Sequence, residues 1–528
     1  MTLWMLMLLP LLGAACIYPS RASISKWIAL IVSLVVFVIS VLMAVQFDCW
    51  GNSSGTCFKS SIPWINVLGI TLDVGVDSVA LLLVLLTTLL TPLCVWSSFT
   101  AITKRRREYY AWLLILETAM LGVFSAQDLI LFYVSFELTL VPMFFLIAIY
   151  GGDNRAHASV KFFIYTFTGS LIALAGFIYV AWQYQVASFG TWSFAISDLT
   201  AFSVTLSSTE QSAVLLALLA GFAVKIPVFP VHTWLPLAHT EAPTAGSVIL
   251  AGVLLKLGTF GLYRFVLPMV PDAVVFYAPL IGILAIIGIL YAALICWVQD
   301  DVKKLIAYSS ISHLGFCVLG LIALNPMGLE GAVLYMLNHG LSTGALFFLI
   351  GMMYERYHTR DMNVIGGLAK KMPIWSTFMV FFVLSSVGLP GLNGFVSEFM
   401  CLIGTFVSIP SSESWPGVLG PIYAAVAALG MVLAAMYLLI MVGKMVFGPL
   451  REPEYEDSEL PPDLTSREIG VLIPLAALCI WIGVQPTVLT DSMRGSVEEV
   501  LAPYPRIIEQ SDNIPSAKIE FVVEELNG

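Results

Sequence analysis

The chain has 528 residues, 59% of them hydrophobic and only 11% charged, with a mean hydropathy of +0.93, whereas soluble globular domains carry about 25% charged residues. These figures exclude an ordinary soluble enzyme and indicate a polytopic membrane protein, because apolar stretches of spanning length recur from end to end. The formal net charge is −10, yet residues 1–450 hold 19 acids and 19 bases, and the surplus comes from the 15 acids and 5 bases that follow. No basic stripe suits nucleic acid.

Taken in chain order at about 20 apolar residues per span, the sequence predicts fourteen helices, over 2–18, 27–46, 77–98, 109–126, 129–150, 158–184, 212–230, 243–266, 276–298, 302–323, 327–353, 374–408, 419–446 and 468–487. The expected fold class is an all-α polytopic membrane protein. The first stretch has the length of a signal peptide but lacks a basic n-region, and reads as a retained span. Cys49 and Cys57 share the polar loop after the second stretch and would bridge if that loop faces an oxidising compartment. None of the 8 cysteines forms a CxxC pair or cluster, which argues against iron–sulfur or structural zinc ligation.

An even number of spans puts both termini on one side and divides the loops into two sets. One set holds sixteen lysines and arginines, including the run from Lys104 to Arg107 and the pairs Lys303–Lys304 and Lys370–Lys371; the other holds Lys59 and Arg264. The positive-inside rule therefore places both termini and the Cys49–Cys57 loop outside.

Two stretches contain helix breakers. The seventh has Pro227 and Pro230 just after Lys225; the twelfth is overlong and has Gly388, Pro390, Gly391 and Gly394 just before Glu398. Proline removes a backbone donor, and carbonyls freed at membrane depth must be satisfied by water or protein, so such breaks point to hydrated cavities. Pro227 and Pro390 lie 163 residues apart, and the fourth and ninth predicted helices start 167 residues apart. A five-helix unit thus occurs twice, and because five is odd the second copy is inverted. The expected organisation is three N-terminal helices over 1–108, a first five-helix repeat over 109–266, a second, inverted repeat over 267–450, and a region over 451–528 with an acidic loop, the last spanning helix and the C-terminal tail.

A charged side chain at a helix centre costs roughly 2.5–3.5 kcal/mol on insertion scales, so such residues face a cavity and carry function. Glu117, Glu137, Lys225, Lys256, His313, His339 and Glu398 all fall at mid-span. Glu137 and Lys225 are an opposite-charge pair. A carboxylate that approaches or withdraws would switch the lysine between holding and releasing a proton, and a static ion pair that fixes helix packing is the alternative. Lys256 has no acid nearby in its own stretch, AGVLLKLGTFGLY, and suits proton carriage. His313 and His339 sit among hydroxyl residues and suit a relay, because neutral imidazole accepts a proton on one nitrogen and releases it from the other; a haem site would need a second pair of mid-membrane histidines. His232 and His239, with Glu241, are expected to line the inner mouth of a half-channel, and His157 and His358 to lie in solvated loops. Phosphate-loop, dinucleotide, zinc-protease and serine-nucleophile motifs are absent, so the chain is equipped to move charge and not for hydride, electron or phosphoryl chemistry.

The segments SFELTLVPMFFLIAIYGG, KIPVFPVHTWLPLAHTEAPTAGSVILAGVLLKLGTFGLYR, KKLIAYSSISHLGF, NHGLSTGALFFLIG and GLPGLNGFVSEF resemble the antiporter-like membrane subunits of proton-pumping NADH:quinone oxidoreductase, respiratory complex I, over about residues 75–450. Length, span number and a short C-terminal extension are most similar to the subunit M, or subunit 4, branch. The resemblance implies a buried proton axis of Glu137, Lys225, Lys256, His313, His339 and Glu398, with Glu117 in support. It also implies no cofactor in this chain, with FMN, iron–sulfur clusters and quinone in partner subunits, and a translocase role without a redox site of its own. The implied partners are other membrane subunits, including neighbouring antiporter-like ones, within a bacterial plasma membrane. Large subunits of multisubunit cation/proton antiporters share the core and these motifs and form the alternative.

Overall fold

The computed structural model describes residues 2–51, 55–412, 415–453 and 463–512. The C-terminal tail from 513 and much of the acidic loop, 454–462, lie outside the described residues. The fold is mostly helical, at 76%. Among the described residues, ten helices are long and apolar enough to cross a membrane, from Ala22–Val45 and Ser78–Ala101 to Pro421–Met445 and Ser466–Val484. Helix Thr2–Ile17 is shorter, Arg106–Ser125 opens on a polar turn, and Ser208–Lys225 and Pro373–Val387 end at the two breaks.

Local chemistry sets many helix starts. Asp77, Asp128, Asp301 and Asn325 each accept a hydrogen bond from a backbone N–H of the first turn, and Ser207 with Glu210 and Thr465 with Glu468 form reciprocal capping boxes. Each cap satisfies donors that a helix terminus otherwise leaves open, which matters most where water is scarce.

Burial separates the helices into an inner and an outer group. The most apolar stretches of Thr244–Met269 and Pro326–Tyr357 are wholly enclosed, and those of Ser78–Ala101 and Val302–Leu321 are 89% buried, against 28% for Ala22–Val45 and 39% for Arg155–Ala187 and Pro421–Met445. The outer helices present Val45, Ile164, Phe276 and Ile422 outward, the surface a hydrocarbon environment demands. The inner helices hold Lys256, His313 and His339.

The break in the second discontinuous helix falls between Pro373–Val387 and Asn393–Phe406. Gly388 takes a left-handed φ of +84° there, which costs glycine little, and a Cβ at Gly394 would overlap the Ser385 carbonyl. The first break follows Lys225, where the chain runs through a succession of turns before the short helix Leu235–Glu241. Thr244–Met269 includes two π-helical segments, Leu250–Leu254 and Leu262–Val266, and wider turns of this kind recur at functional sites.

The expectation of an all-α chain needs one correction. Cys57–Ile65 and Ile70–Val76 pair as an antiparallel hairpin. The second strand, ITLDVGV, alternates and is rich in β-branched residues, a pattern that favours a half-buried strand over a loop. Cys49 and Cys57 are disulfide-bonded, Cα to Cα 6.2 Å, and tie the hairpin to the end of Ala22–Val45.

Candidate functional site

Helices Val302–Leu321, Pro326–Tyr357 and Asn393–Phe406 pack side by side and bring three buried polar side chains together. His313 Nδ1 lies 3.1 Å from Glu398 Oε1 and 2.6 Å from the Tyr335 hydroxyl, and that hydroxyl donates to Glu398 Oε1. Tyr335 was not singled out from the sequence. It precedes His339 by four residues, the spacing that places two side chains on one helix face, but a tyrosine in an apolar run carries no charge to betray it.

His339 continues the line. Its ring centroid is 6.0 Å from that of His313, and its Nδ1 lies 2.7 Å from Lys256 Nζ, which also donates to the Ala251 carbonyl inside the first π-helical segment. Lys256 is fully buried, so its cost is met by these two acceptors; a hydrogen bond to a charged group contributes about 1.5–3 kcal/mol, the same size as the insertion penalty. Beside the two histidines, Tyr335, Asn338, Ser342 and Thr343 border a small cavity with room for about one water molecule.

At the first break Lys225 is held differently. Its Nζ donates to Thr139 Oγ1 at 3.3 Å and sits 4.8 Å from the centroid of the Phe136 ring. Glu137, next to Tyr133 and Ser170, acts on Lys225 across space rather than through a direct ion pair. Glu117 is fully buried with neither carboxyl oxygen hydrogen-bonded. Its polar neighbour is Thr91, whose hydroxyl donates to the Thr87 carbonyl, and the carboxylate that acts electrostatically on Lys225 is Glu137.

A vestibule opens at the end of the molecule where Glu241, Lys303, Glu355 and Arg360 meet. Lys303, another residue the sequence did not single out, is buried and donates to the carbonyls of Ala242 and Thr240 at 2.6 and 3.4 Å; Arg360 donates to the same Thr240 carbonyl. Glu241 lines this space, but His232 and His239, expected at its mouth, are buried and do not. His239 stacks on Phe347 with both ring nitrogens unpartnered, electrostatically between Lys303 and Lys256; His232 packs against Phe229 and Tyr291. His157 and His358 are exposed. Among the described residues no group of three or more metal-ligating side chains converges.

The buried line Lys256–His339–His313–Glu398 ends on the helix that follows the second break. The family model described as NADH:quinone oxidoreductase/Mrp antiporter, TM, matches residues 126–412. NADH-quinone oxidoreductase subunit M of Rhodobacter capsulatus is 40% identical over 490 residues, 92% of each chain. The chain belongs to the subunit M/chain 4 family of NADH:quinone oxidoreductase. NADH-ubiquinone oxidoreductase chain 4 of Marchantia polymorpha, a further member, is 39% identical over 500 residues, covering 94% of this chain and 96% of the relative. A chain in the solved structure of respiratory complex I from Thermus thermophilus with bound NADH superposes with a TM-score of 0.82 at 28% identity, over 96% of this chain and 100% of that one. Membership in this subunit M/chain 4 family makes the protein a multi-pass, antiporter-like membrane-arm subunit of an enzyme complex.

Proposed function

We propose that this subunit translocates protons along Glu137, Lys225, Lys256, His339, His313 and Glu398, driven by redox chemistry in other subunits. The observation that carries this reading is the buried line Lys256–His339–His313–Glu398, whose two hydrogen bonds run in one direction when the lysine is an ammonium and Glu398 a carboxylate. A lysine ammonium only donates, so His339 Nδ1 accepts and its proton sits on Nε2. A carboxylate only accepts, so His313 presents Nδ1–H to Glu398 and leaves Nε2 as an acceptor towards His339. A proton passed from Lys256 to His339 Nδ1 releases one from Nε2 towards His313, and the same exchange on His313 delivers one to Glu398. Water in the small polar cavity beside the histidines bridges the imidazole gap.

Lys225, with Glu137 as its tuning carboxylate and Glu117 as a more distant buried acid, loads the line from the inner side through the first break. Glu398 discharges to the outside through the second. The chain crosses the bilayer fourteen times, with two inverted five-helix repeats over 109–266 and 267–450 and both termini outside. It sits in a bacterial plasma membrane among other complex I membrane subunits, including antiporter-like neighbours. NADH oxidation and quinone reduction, with FMN and iron–sulfur clusters, belong to those partners.

The test is Lys225→Ala, Lys256→Ala and Glu398→Ala in the assembled complex, measured as protons translocated per electron in sealed vesicles. Each is expected to abolish or sharply reduce pumping; wild-type stoichiometry in all three would overturn the scheme. The matching family also spans Mrp antiporters, so a cation/proton antiporter role is the second reading. Copurification with NADH-oxidising, flavin-containing partners supports the first, and sodium-dependent exchange without redox partners the second.

A further inference from the structure

We propose that Tyr335 is a proton relay whose phenol carries the proton between His313 Nδ1 and Glu398 Oε1. This deepens the proton-axis reading and rests on it.

The argument starts from what a buried phenol needs. Tyr335 is 4% exposed, and a tyrosine hydroxyl in a core requires one partner, which any nearby backbone carbonyl could provide. Instead it touches two groups, and both are axis members, one on each side of the last transfer. The hydroxyl stands 2.6 Å from His313 Nδ1, whereas the carboxylate oxygen stands 3.1 Å from the same nitrogen. The phenol is therefore the nearer acceptor for the imidazole proton and is already donating its own proton to Glu398. Its ring meets His313 edge-on, at 81° and 6.1 Å between centroids, so the hydroxyl is placed from the side while the packing of the rings holds it there.

The step balances without a co-reactant. The His313 Nδ1–H bond breaks as a new Tyr335 O–H bond forms; the original Tyr335 O–H bond breaks as a Glu398 Oε1–H bond forms. Imidazolium becomes imidazole, carboxylate becomes carboxylic acid, and tyrosine is unchanged. Cys401 and Tyr437 are the other titratable side chains facing Tyr335, with Lys256 and His339 beyond His313. Glu398 Oε2 has no hydrogen-bond partner among the described residues and lies beside Gly388 at the helix break. The relay thus loads one oxygen of a carboxyl whose other oxygen faces the break.

The experiment uses the assembled complex in sealed vesicles with Tyr335→Phe, with 2,3-difluorotyrosine incorporated at position 335, and with Glu398→Gln in parallel. Phenylalanine keeps the ring and removes only the hydroxyl; the fluorinated residue keeps shape and hydrogen bonds but makes the phenol more acidic. Tyr335→Phe is expected to lower coupled turnover by about tenfold or more, the low end of what a lost proton-transfer group costs or below it. The fluorinated protein is expected to assemble normally and to shift the pH profile of coupled turnover, which a hydroxyl serving only as a structural strut would leave in place. Wild-type turnover in Tyr335→Phe together with a crippled Glu398→Gln overturns the relay and leaves the axis standing; wild-type pumping in Glu398→Gln overturns the relay together with the terminal step of the axis. Should the phenylalanine variant fail to assemble, an unshifted profile in the fluorinated protein overturns the relay.

Discussion

At the first break Lys225 is the last residue of its helix and reaches a threonine hydroxyl and a phenyl face; at the second, Glu398 is the sixth residue of Asn393–Phe406 and is gripped by Tyr335 and His313. The difference follows from where each charge stands on its helix. The C-terminal carbonyls at the end of Ser208–Lys225 favour a cation by about 0.3–1 kcal/mol, and by up to about 2 in partly buried geometries, whereas the dipole at the start of Asn393–Phe406 fades within its first turn. Lys225 draws on its helix end and on a cation–π contact worth about 0.5–2 kcal/mol, so it persists with one long hydrogen bond. Glu398, beyond the reach of its helix end, needs direct donors. A buried charge with weak partners can exchange them; one bound to two donors is committed to a route. On the proposed route, the first break would suit switching and the second delivery.

On the proposed route Lys256→Ala removes the link between the two and should have the largest effect, a loss of about a hundredfold in proton translocation with the complex still assembled; retained pumping would show that the two regions work independently. Gly394→Ala strikes the second break alone. The added methyl overlaps the Ser385 carbonyl, and overpacking of this kind costs about 1–3 kcal/mol, read as a lower unfolding temperature of the assembled complex. An unaltered melting curve would mean that the break is as yielding as the first. Thr139→Val probes the first break by removing the hydroxyl that accepts from Lys225. A roughly tenfold drop in pumping is expected, equivalent to about 1.4 kcal/mol and just below the usual worth of a hydrogen bond to a charge, as suits a long one, with recovery in Thr139→Ser; no drop would show that Glu137 alone suffices. Cys49→Ser should matter least. It loosens the outer hairpin by about 2 kcal/mol, seen as faster proteolysis there, and leaves pumping unchanged.

What could be read from residues alone was whatever lipid should forbid. Lys225, Lys256, His313, His339 and Glu398 announce themselves as charged or titratable groups inside apolar helices, and the glycines and prolines beside two of them mark the breaks. Capping residues such as Asp301 and the Thr465–Glu468 pair are equally visible, because their chemistry is local. Partnership was not. Glu117 is as conspicuous as Glu137 in sequence, yet its helix turns it towards Thr91; His239 belongs to a polar run but stacks on Phe347. Lys303 looks like one of a basic pair at a loop until the Thr240 and Ala242 carbonyls take it in. Tyr335 hides for the opposite reason, since its ring satisfies the apolar pattern and only the tertiary fold reveals what its hydroxyl touches. The hairpin escaped because a search for long apolar runs passes over a seven-residue alternation such as Ile70–Val76.

The enclosure of the apolar stretches of Thr244–Met269 and Pro326–Tyr357 bears on how the bilayer itself can influence the protein. Stretches shielded by other helices are released from hydrophobic matching, so they can carry Asn338, Ser342, Thr343 and Lys256, all buried, with less regard to membrane thickness. A thicker or thinner bilayer acts instead on the tilt of outer helices such as Arg155–Ala187 and Pro421–Met445, at fractions of a kcal/mol per ångström of mismatch. The charged line is in this sense mechanically insulated, and lipid composition reaches it only through the packing of the helices that surround it.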